Sequence, residues 1–298
     1  MTAATDSHPT GAHPADARLA DARLAPGDPA GAAPDQDRRV FLEPPRLLGL
    51  RTISAMVLRE MSTTYGRTPG GYVWAVLQPI GALFVISFGF SLMLRSPALG
   101  TSFMMFYATG YLPYIFYTDI QSKISGSLRY ARALLAYPSV IWVDAVMGRF
   151  ILATLTFGLT FSLVISGIVY YDDLRPIIDA GRVLTAIAMA ALLGLGVGMT
   201  NAVLTGLYPV WANIWRIITR PMFLISGVLF LYDDVPKVAQ DVLWWNPLIH
   251  VTGYARSGFF STYEATYVSL QYVFGIALVL ILAGAILMRI RTADVLER

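Results

Sequence analysis

The sequence contains no cysteine, which excludes disulfides, thiolate metal sites and cysteine nucleophiles together, while leaving the redox compartment open. Lysine occurs only as Lys123 and Lys237, and neither lies in a Gly-x-x-x-x-Gly-Lys-Ser/Thr loop. The chain therefore cannot bind and hydrolyse a nucleoside triphosphate by that route. Charge is scarce as well, at 14% of residues against about 25% in a typical soluble domain. What replaces it is apolar: 56% of the chain is hydrophobic and the mean hydropathy is +0.58. That is too much to hide in one soluble core, and it falls into long runs, so the chain reads as an integral membrane protein. A pI near 9.1 would suit nucleic acid, but the arginines lie beside the apolar runs and form no patch interleaved with aromatics.

Residues 1–45 are rich in Ala, Pro and Asp, with almost no residues to support a core, and are expected to be a disordered tail. The tail has no apolar stretch of the length a secretory signal needs, so it should stay where it is made. His8 and His13 within it are solvent-exposed bystanders on this reading. From 46 to 66 the pattern turns helical: Leu50, Ile53, Val57 and Met61 share one face, with Arg51, Ala55, Arg59 and Ser62 opposite. Such a helix suits the headgroup layer or the surface of another subunit. Gly66, Pro69, Gly70 and Gly71 then break it.

Six candidate spans follow, at 72–94, 103–120, 142–171, 183–207, 210–231 and 267–290. The first, with 23 residues, is long enough at about 1.5 Å per residue to cross a hydrocarbon core of about 30 Å. Positive residues crowd the tail-side connections: Arg59 and Arg67 before the first span, Lys123, Arg129 and Arg132 after the second, Arg216 and Arg220 by the fifth, Arg289 and Arg291 after the last. Arg95, Arg175, Arg182, Lys237 and Arg256 fall on the other side and are fewer. Both termini are therefore expected in the cytoplasm, with Asp172-Asp173 and Asp233-Asp234 facing outward.

Two connections are richer than loops. Residues 123–137 read as a short basic, apolar-faced helix ended by Tyr137-Pro138, suited to a partner's groove or simply an amphipathic linker. Residues 234–262 carry Trp244, Trp245, the breaker Asn246-Pro247 and a second apolar stretch. Two short helices dipping into the outer leaflet fit that pattern, with an interfacial anchor as the plainer alternative. Gly194, Gly196 and Gly198 superficially match a dinucleotide fingerprint, but they lie inside a span with no strand before them, and close helix packing explains them better. Asp119, Asp144, Arg149, Arg216 and Arg220 sit toward the cytoplasmic span ends and form no midplane proton relay. His250 has no second ligand nearby in sequence and reads as a structural hydrogen-bonder. Aromatics are plentiful, at 12% of the chain, with Trp74, Tyr107, Tyr111, Tyr114 and Tyr117 in the first two spans. They suit a carbohydrate path, and equally a headgroup interface.

Leu58-Arg59-Glu60, Tyr65-Gly66, Gly71-Tyr72-x-Trp74, Gln78-Pro79, Gly110-x-x-Pro113, Tyr137-Pro138, Asp144 with Arg149, Ser226-Gly227-x-x-Phe230 with Pro236, and Trp245-Asn246-Pro247-Leu248-x-His250 resemble the ABC-2 type polysaccharide export permeases of the KpsM and Wzm class, closer to the capsule exporters than to the O-antigen ones. The resemblance covers residues 46–298 and leaves the tail unexplained. It implies an all-α membrane protein: six transmembrane helices, an N-terminal amphipathic interface helix, a cytoplasmic coupling helix and short re-entrant periplasmic helices. It further implies a non-catalytic subunit with no cofactor or metal of its own, working as two copies with two copies of a cytoplasmic ATPase that binds ATP and Mg. A periplasmic adaptor and an outer-membrane channel would receive a lipid-linked capsular polysaccharide from the inner membrane.

By the same resemblance Arg59, Glu60, Tyr65, Ser127, Leu128, Arg129, Arg132 and Tyr137 would contact the ATPase. Trp244, Trp245, Asn246, Pro247 and His250 would shape the periplasmic gate. Arg59, Arg67, Arg149 and Arg220 at the inner mouth, with Trp74, Tyr107, Tyr111 and Tyr114 along the channel, are expected to meet an anionic lipid-sugar. An O-antigen or teichoic-acid exporter, an ATP-independent flippase and a membrane glycosyltransferase are the rivals. The second lacks midplane ion ligands, and the third lacks a cluster of acids and histidines at one face.

Overall fold

A backbone surrounded by hydrocarbon has no water to bond with, so each peptide group finds its partner within its own helix or in neighbouring protein. The computed structural model describes residues 45–64, 70–135 and 141–297, and among these every regular element is helical. In order they are α1 (Pro45–Thr64), α2 (Gly71–Met93), α3 (Phe103–Ser125), α4 (Ser127–Leu135), α5 (Trp142–Tyr171), α6 (Ala180–Leu207), α7 (Pro209–Ile225), α8 (Lys237–Leu243), α9 (Pro247–Phe259) and α10 (Leu270–Glu297). The tail expected to be disordered lies outside the described residues.

Among the described residues, four helices are long and apolar enough to cross a membrane, over Val73–Met93, Trp142–Tyr171, Ala180–Leu207 and Leu270–Leu296. Two of the six expected spans fall short for different reasons. α3 has the length, 23 residues, but is diluted by tyrosines, Gln121 and the Asp119–Lys123 pair. α7 has only 17 residues: the helix expected to reach 231 stops at Ile225, because the chain turns at Gly227 with φ +73°. α3 in turn runs on to Ser125, past the expected end at 120, and breaks at Gly126, so the next helix starts at Ser127 rather than 123.

α6 is the pillar of the bundle, packed between α3, α9 and α10. Its glycines make this possible. A Cβ on Gly194 would lie 2.8 Å from the Tyr117 carbonyl oxygen and one on Gly198 would lie 2.7 Å from Ile124 Cβ, both on α3. Gly196, on the other side, would meet Leu280 Cβ of α10 at 2.8 Å. The Gly-x-Gly-x-Gly run is a packing device serving two neighbours at once, as its place in an apolar span suggested. α1 docks in the same way: its Ile53, Met56 and Val57 lie on Gly148 of α5, where an added Cβ would sit 3.2 Å from Met56 Cβ. The apolar face of the amphipathic helix thus covers α5 of its own chain.

Gly198→Val should force α3 and α6 apart and lower the stability of the purified protein by about 1–3 kcal/mol. Gly158→Ala, at a position with nothing within 4 Å of an added Cβ, should leave it unchanged. Thermal unfolding followed by size exclusion reads both.

Candidate functional site

Docking α1 on Gly148 brings Glu60, one turn further along α1, against Arg149. The pair is two-pronged: Arg149 Nη2 lies 3.1 Å from Glu60 Oε1 and Arg149 Nε donates to Glu60 Oε2 at 3.2 Å. Its side chains are only 13% and 10% exposed, so the fork geometry that suits a carboxylate is used where water competes least. Arg149 Nη1 also donates to the Lys123 carbonyl oxygen at 2.6 Å, where α3 ends. Its guanidinium lies over the Tyr130 ring of α4 at 4.1 Å, and Arg59 approaches the same ring at 5.4 Å. The break at Gly126 leaves the room: a Cβ there would be 3.2 Å from Arg149 Nη1. One guanidinium thereby joins α1, α3, α4 and α5.

This junction unites residues that the sequence reading had divided between two roles. Arg59, Glu60 and Ser127 meet there with Arg149, which was expected to be an open cation at the inner mouth and is held by protein groups instead. α4 is sharply two-sided: Ser127 and Leu128 are buried, while Arg129 and Arg132 face outward and remain accessible. Asp144 accepts from the Ile141 amide at 3.1 Å and caps α5. Tyr65, Arg67 and Tyr137 lie outside the described residues.

The aromatics separate into two groups. Tyr107 is 1% exposed, packed on Phe90 and Phe106 inside the chain's own bundle, so it lines no open path there. Tyr111 and Tyr114 are also buried and meet Phe223 of α7 edge-on, at 6.3 and 5.4 Å between ring centres. Trp74 is exposed and, with Tyr111, lines a cavity of about 530 Å3 between α2, α3 and α5. Arg220 is exposed on α7, on the same side as Asn213 and Arg216.

At the other end of the bundle, Asn246-Pro247 starts α9 as cap and first residue: Asn246 Oδ1 accepts from the Leu248 amide at 3.1 Å. Asn246 Nδ2 donates to Ile225 O at 2.9 Å and Thr252 donates to Ser226 O at 2.8 Å. Arg256 donates to the Gly227, Val228 and Phe230 carbonyls at 2.6, 2.7 and 2.8 Å. α9 side chains therefore close the carboxyl end of α7. The sequence reading had placed Arg256 among the loop cations, yet it is 2% exposed. The signal available was an arginine in an apolar stretch with no acid within a helical turn, a placement that requires carbonyl partners. His250 Nε2 lies 2.8 Å from Trp244 O, which can only accept, and its Nδ1 takes the Ser269 amide at 3.3 Å. The proton therefore sits on Nε2 and both ring nitrogens are engaged, which makes His250 a hydrogen-bonder. Trp244 donates to Tyr267 O at 3.1 Å, whereas Trp245 stays 68% exposed. Among the described residues no group of three or more His, Asp or Glu could hold a metal ion.

Arg149→Met takes the guanidinium from a largely buried carboxylate and should cost on the order of 3 kcal/mol of stability. Adding Glu60→Gln should recover part of that loss, so that the double variant melts above the sum of the two single effects.

Residues 51–260 match the family described as ABC-2 type transporter. The chain is 26% identical over 240 residues to the polysialic acid transport protein KpsM of Escherichia coli, covering 80% of this chain and 93% of that one. To the capsule polysaccharide export inner-membrane protein BexB of Haemophilus influenzae it is 25% identical over 253 residues, covering 85% and 95%. To the corresponding protein CtrC of Neisseria meningitidis serogroup B it is 24% identical over 234 residues, covering 78% and 88%. With more than half its length inside the family match and similar proteins aligned almost end to end, the chain belongs to the ABC-2 type transporter family.

Proposed function

We propose that this chain is the transmembrane permease subunit of an ABC transporter that exports lipid-linked capsular polysaccharide across the inner membrane, driven by ATP hydrolysis in a separate subunit. Two copies of the chain would assemble with two of the ATPase, α2, α3, α5, α6, α7 and α10 serving as the six crossings and α8 and α9 as the re-entrant pair on the outer side. The names of the capsule export relatives support the substrate class. The observation that carries the coupling half of the reading is the Arg149 junction. It ties α1 to the end of α3 and to α4, while Arg129 and Arg132 of α4 remain exposed for a partner.

The uncovered helices support the pairing of two copies. α7 has no buried residue and α2 has few. An arginine at the centre of a span costs about 2.5–3.5 kcal/mol on insertion scales, so Arg216 and Arg220 need water, an anion or a second copy beside them rather than lipid. Two α7 helices flanking a polar path would meet that need, with Arg59 at the inner mouth and Arg216 and Arg220 along the path attracting an anionic lipid-sugar, and residues 244–250 shaping the outer end. A periplasmic adaptor and outer-membrane channel would complete the route.

Extraction in mild detergent with a tag on the carboxyl terminus should bring down a Walker-motif ATPase at equal copy number, two of each by mass. A chain that stays alone even in native lipid particles would sink the ATP-driven reading. The cysteine-free sequence allows a clean orientation test. In intact cells an impermeant maleimide should label Tyr171→Cys and leave Arg132→Cys unlabelled until the membrane is opened, both positions being exposed. The reverse pattern would invert the topology.

A further inference from the structure

The cavity between α2, α3 and α5 has a shape and a chemistry that the coupling junction does not use. On α3 its wall is one face, from Tyr111 through Ile115 and Asp119 to Lys123. At about 1.5 Å per residue that face spans about 18 Å, from the charged end of the helix to the middle of a core of about 30 Å. Lys123 and Asp119, paired at 2.8 Å, stand at the mouth. Phe116 and Phe157, stacked at 3.9 Å, form part of the inner wall, and Trp74 and Tyr111 complete the aromatic lining.

Gln78, Thr156 and Thr160 also line it, and among the described residues none of these three side chains has a hydrogen-bond partner. Thr160 is only 5% exposed, so its hydroxyl is a polar group in the protein interior with the cavity as its outlet. Pro79, also in the wall, has no N–H to give the Ala75 carbonyl four residues back, and Ala75 lines the cavity too. Gln78 stands about 10 Å along α2 from Gly71, which also lines the cavity, and Thr156 about 10 Å along α5 from Arg149, which bonds the Lys123 carbonyl at the mouth, so both lie at hydrocarbon depth.

These groups discriminate between occupants. An acyl chain would leave three side chains unbonded, each at a cost of about 1–3 kcal/mol. A bare phosphate would find one cation, Lys123, already paired. A sugar ring satisfies the set: its hydroxyls both donate and accept, matching an amide and two hydroxyls, and the Asp119 carboxylate can accept from a diol. Its C–H faces suit the electron-rich faces of Trp74 and Tyr111. A volume of about 530 Å3 lies in the range of small-ligand pockets and is too small for a polymer passing through.

We propose that this cavity is a saccharide-binding site within each protomer, taking the sugar head of a glycolipid with the chain trailing into the bilayer. It brings α5 into substrate contact through Thr156 and Thr160, beside α2 and α3. The export reading supplies only the source of the sugar; the site itself requires no more than the membrane setting.

The test uses the full chain with its co-purified partners in lipid nanodiscs and two photoreactive probes, a diazirine-bearing octyl glucoside and a diazirine-bearing phosphatidylethanolamine. Peptide mapping should find the glucoside on cavity segments of α2, α3 and α5 at about tenfold over the phospholipid. Gln78→Leu combined with Thr160→Val should cut that labelling about tenfold, about 1.4 kcal/mol. Equal labelling by the phospholipid, no glucoside on these segments, or glucoside labelling unchanged in the variant would each overturn the site. Should the variant not fold, the ratio of the two probes on the unaltered protein decides. Co-purification of an ATPase is read separately, so loss of the export reading and loss of the site are distinguishable.

Discussion

The carboxyl end of α7 depends on a guanidinium. After Ile225 the chain leaves the helix, and the carbonyls from Ile225 to Phe230 must find donors away from bulk water. α9 supplies them from Asn246, Thr252 and above all Arg256, whose three short bonds account for Gly227, Val228 and Phe230. No carboxylate pairs with this cation among the described residues. Its charge is answered by three carbonyl dipoles and by the Phe106 ring, 4.3 Å away. Gly110 makes the fit possible, since a Cβ there would lie 2.9 Å from Arg256 Nη2. α3, α7 and α9 are thus held at one point. Ser226, Gly227 and Val228, where the chain leaves α7, are buried, so their non-helical backbone is sheltered by the protein itself.

Where every helix is apolar, hydrophobicity does not select neighbours, and small residues do. α6 shows the consequence. Gly194 and Gly198 admit α3, Gly196 admits α10, and Gly206 admits Val295 near the end of α10. α2 contrasts with it: Gly81 and Gly89 have nothing within 4 Å of an added Cβ, so these two glycines are not spent on contacts inside the chain. The bundle has a tightly packed side around α6 and a loosely covered side at α2 and α7. On the proposed pairing of two copies, the loose side is the one that carries the path.

Much of this was legible in the sequence because the signals were local. Asn246-Pro247 specified a helix start, the glycine run specified close packing, and the apolar runs of α2, α5, α6 and α10 specified membrane helices. Boundaries failed where tertiary partners decide them. α7 stops at Ile225 because α9 waits to bond its carbonyls, and α3 continues to Ser125 because Arg149 receives its end at Lys123 O. The roles of charged residues were the least legible. Arg149 and Arg256 look alike in the sequence, each an arginine among apolar residues, yet one is paired with a carboxylate 89 positions away and the other with carbonyls about 26–29 positions away. Pairings at such separations leave no periodic trace along the chain.

Lys123 connects the two sites. Its carbonyl accepts from Arg149 within the junction, and its ammonium group pairs with Asp119 at the mouth of the cavity. Backbone and side chain of one residue therefore belong to both. The junction is held by α1 and α4, the elements proposed to meet the ATPase, and its members are packed closely enough that Gly126 has no room for a Cβ without a shift. A displacement of α1 or α4 that opens the Glu60–Arg149 fork would release the end of α3 at Lys123, and the ion pair at the cavity mouth would move with it. Interfaces packed in this way change between discrete arrangements more readily than they deform. On the proposed reading, ATP-driven motion at the cytoplasmic face needs no long path to reach the sugar site, because the last turn of α3 is common to both.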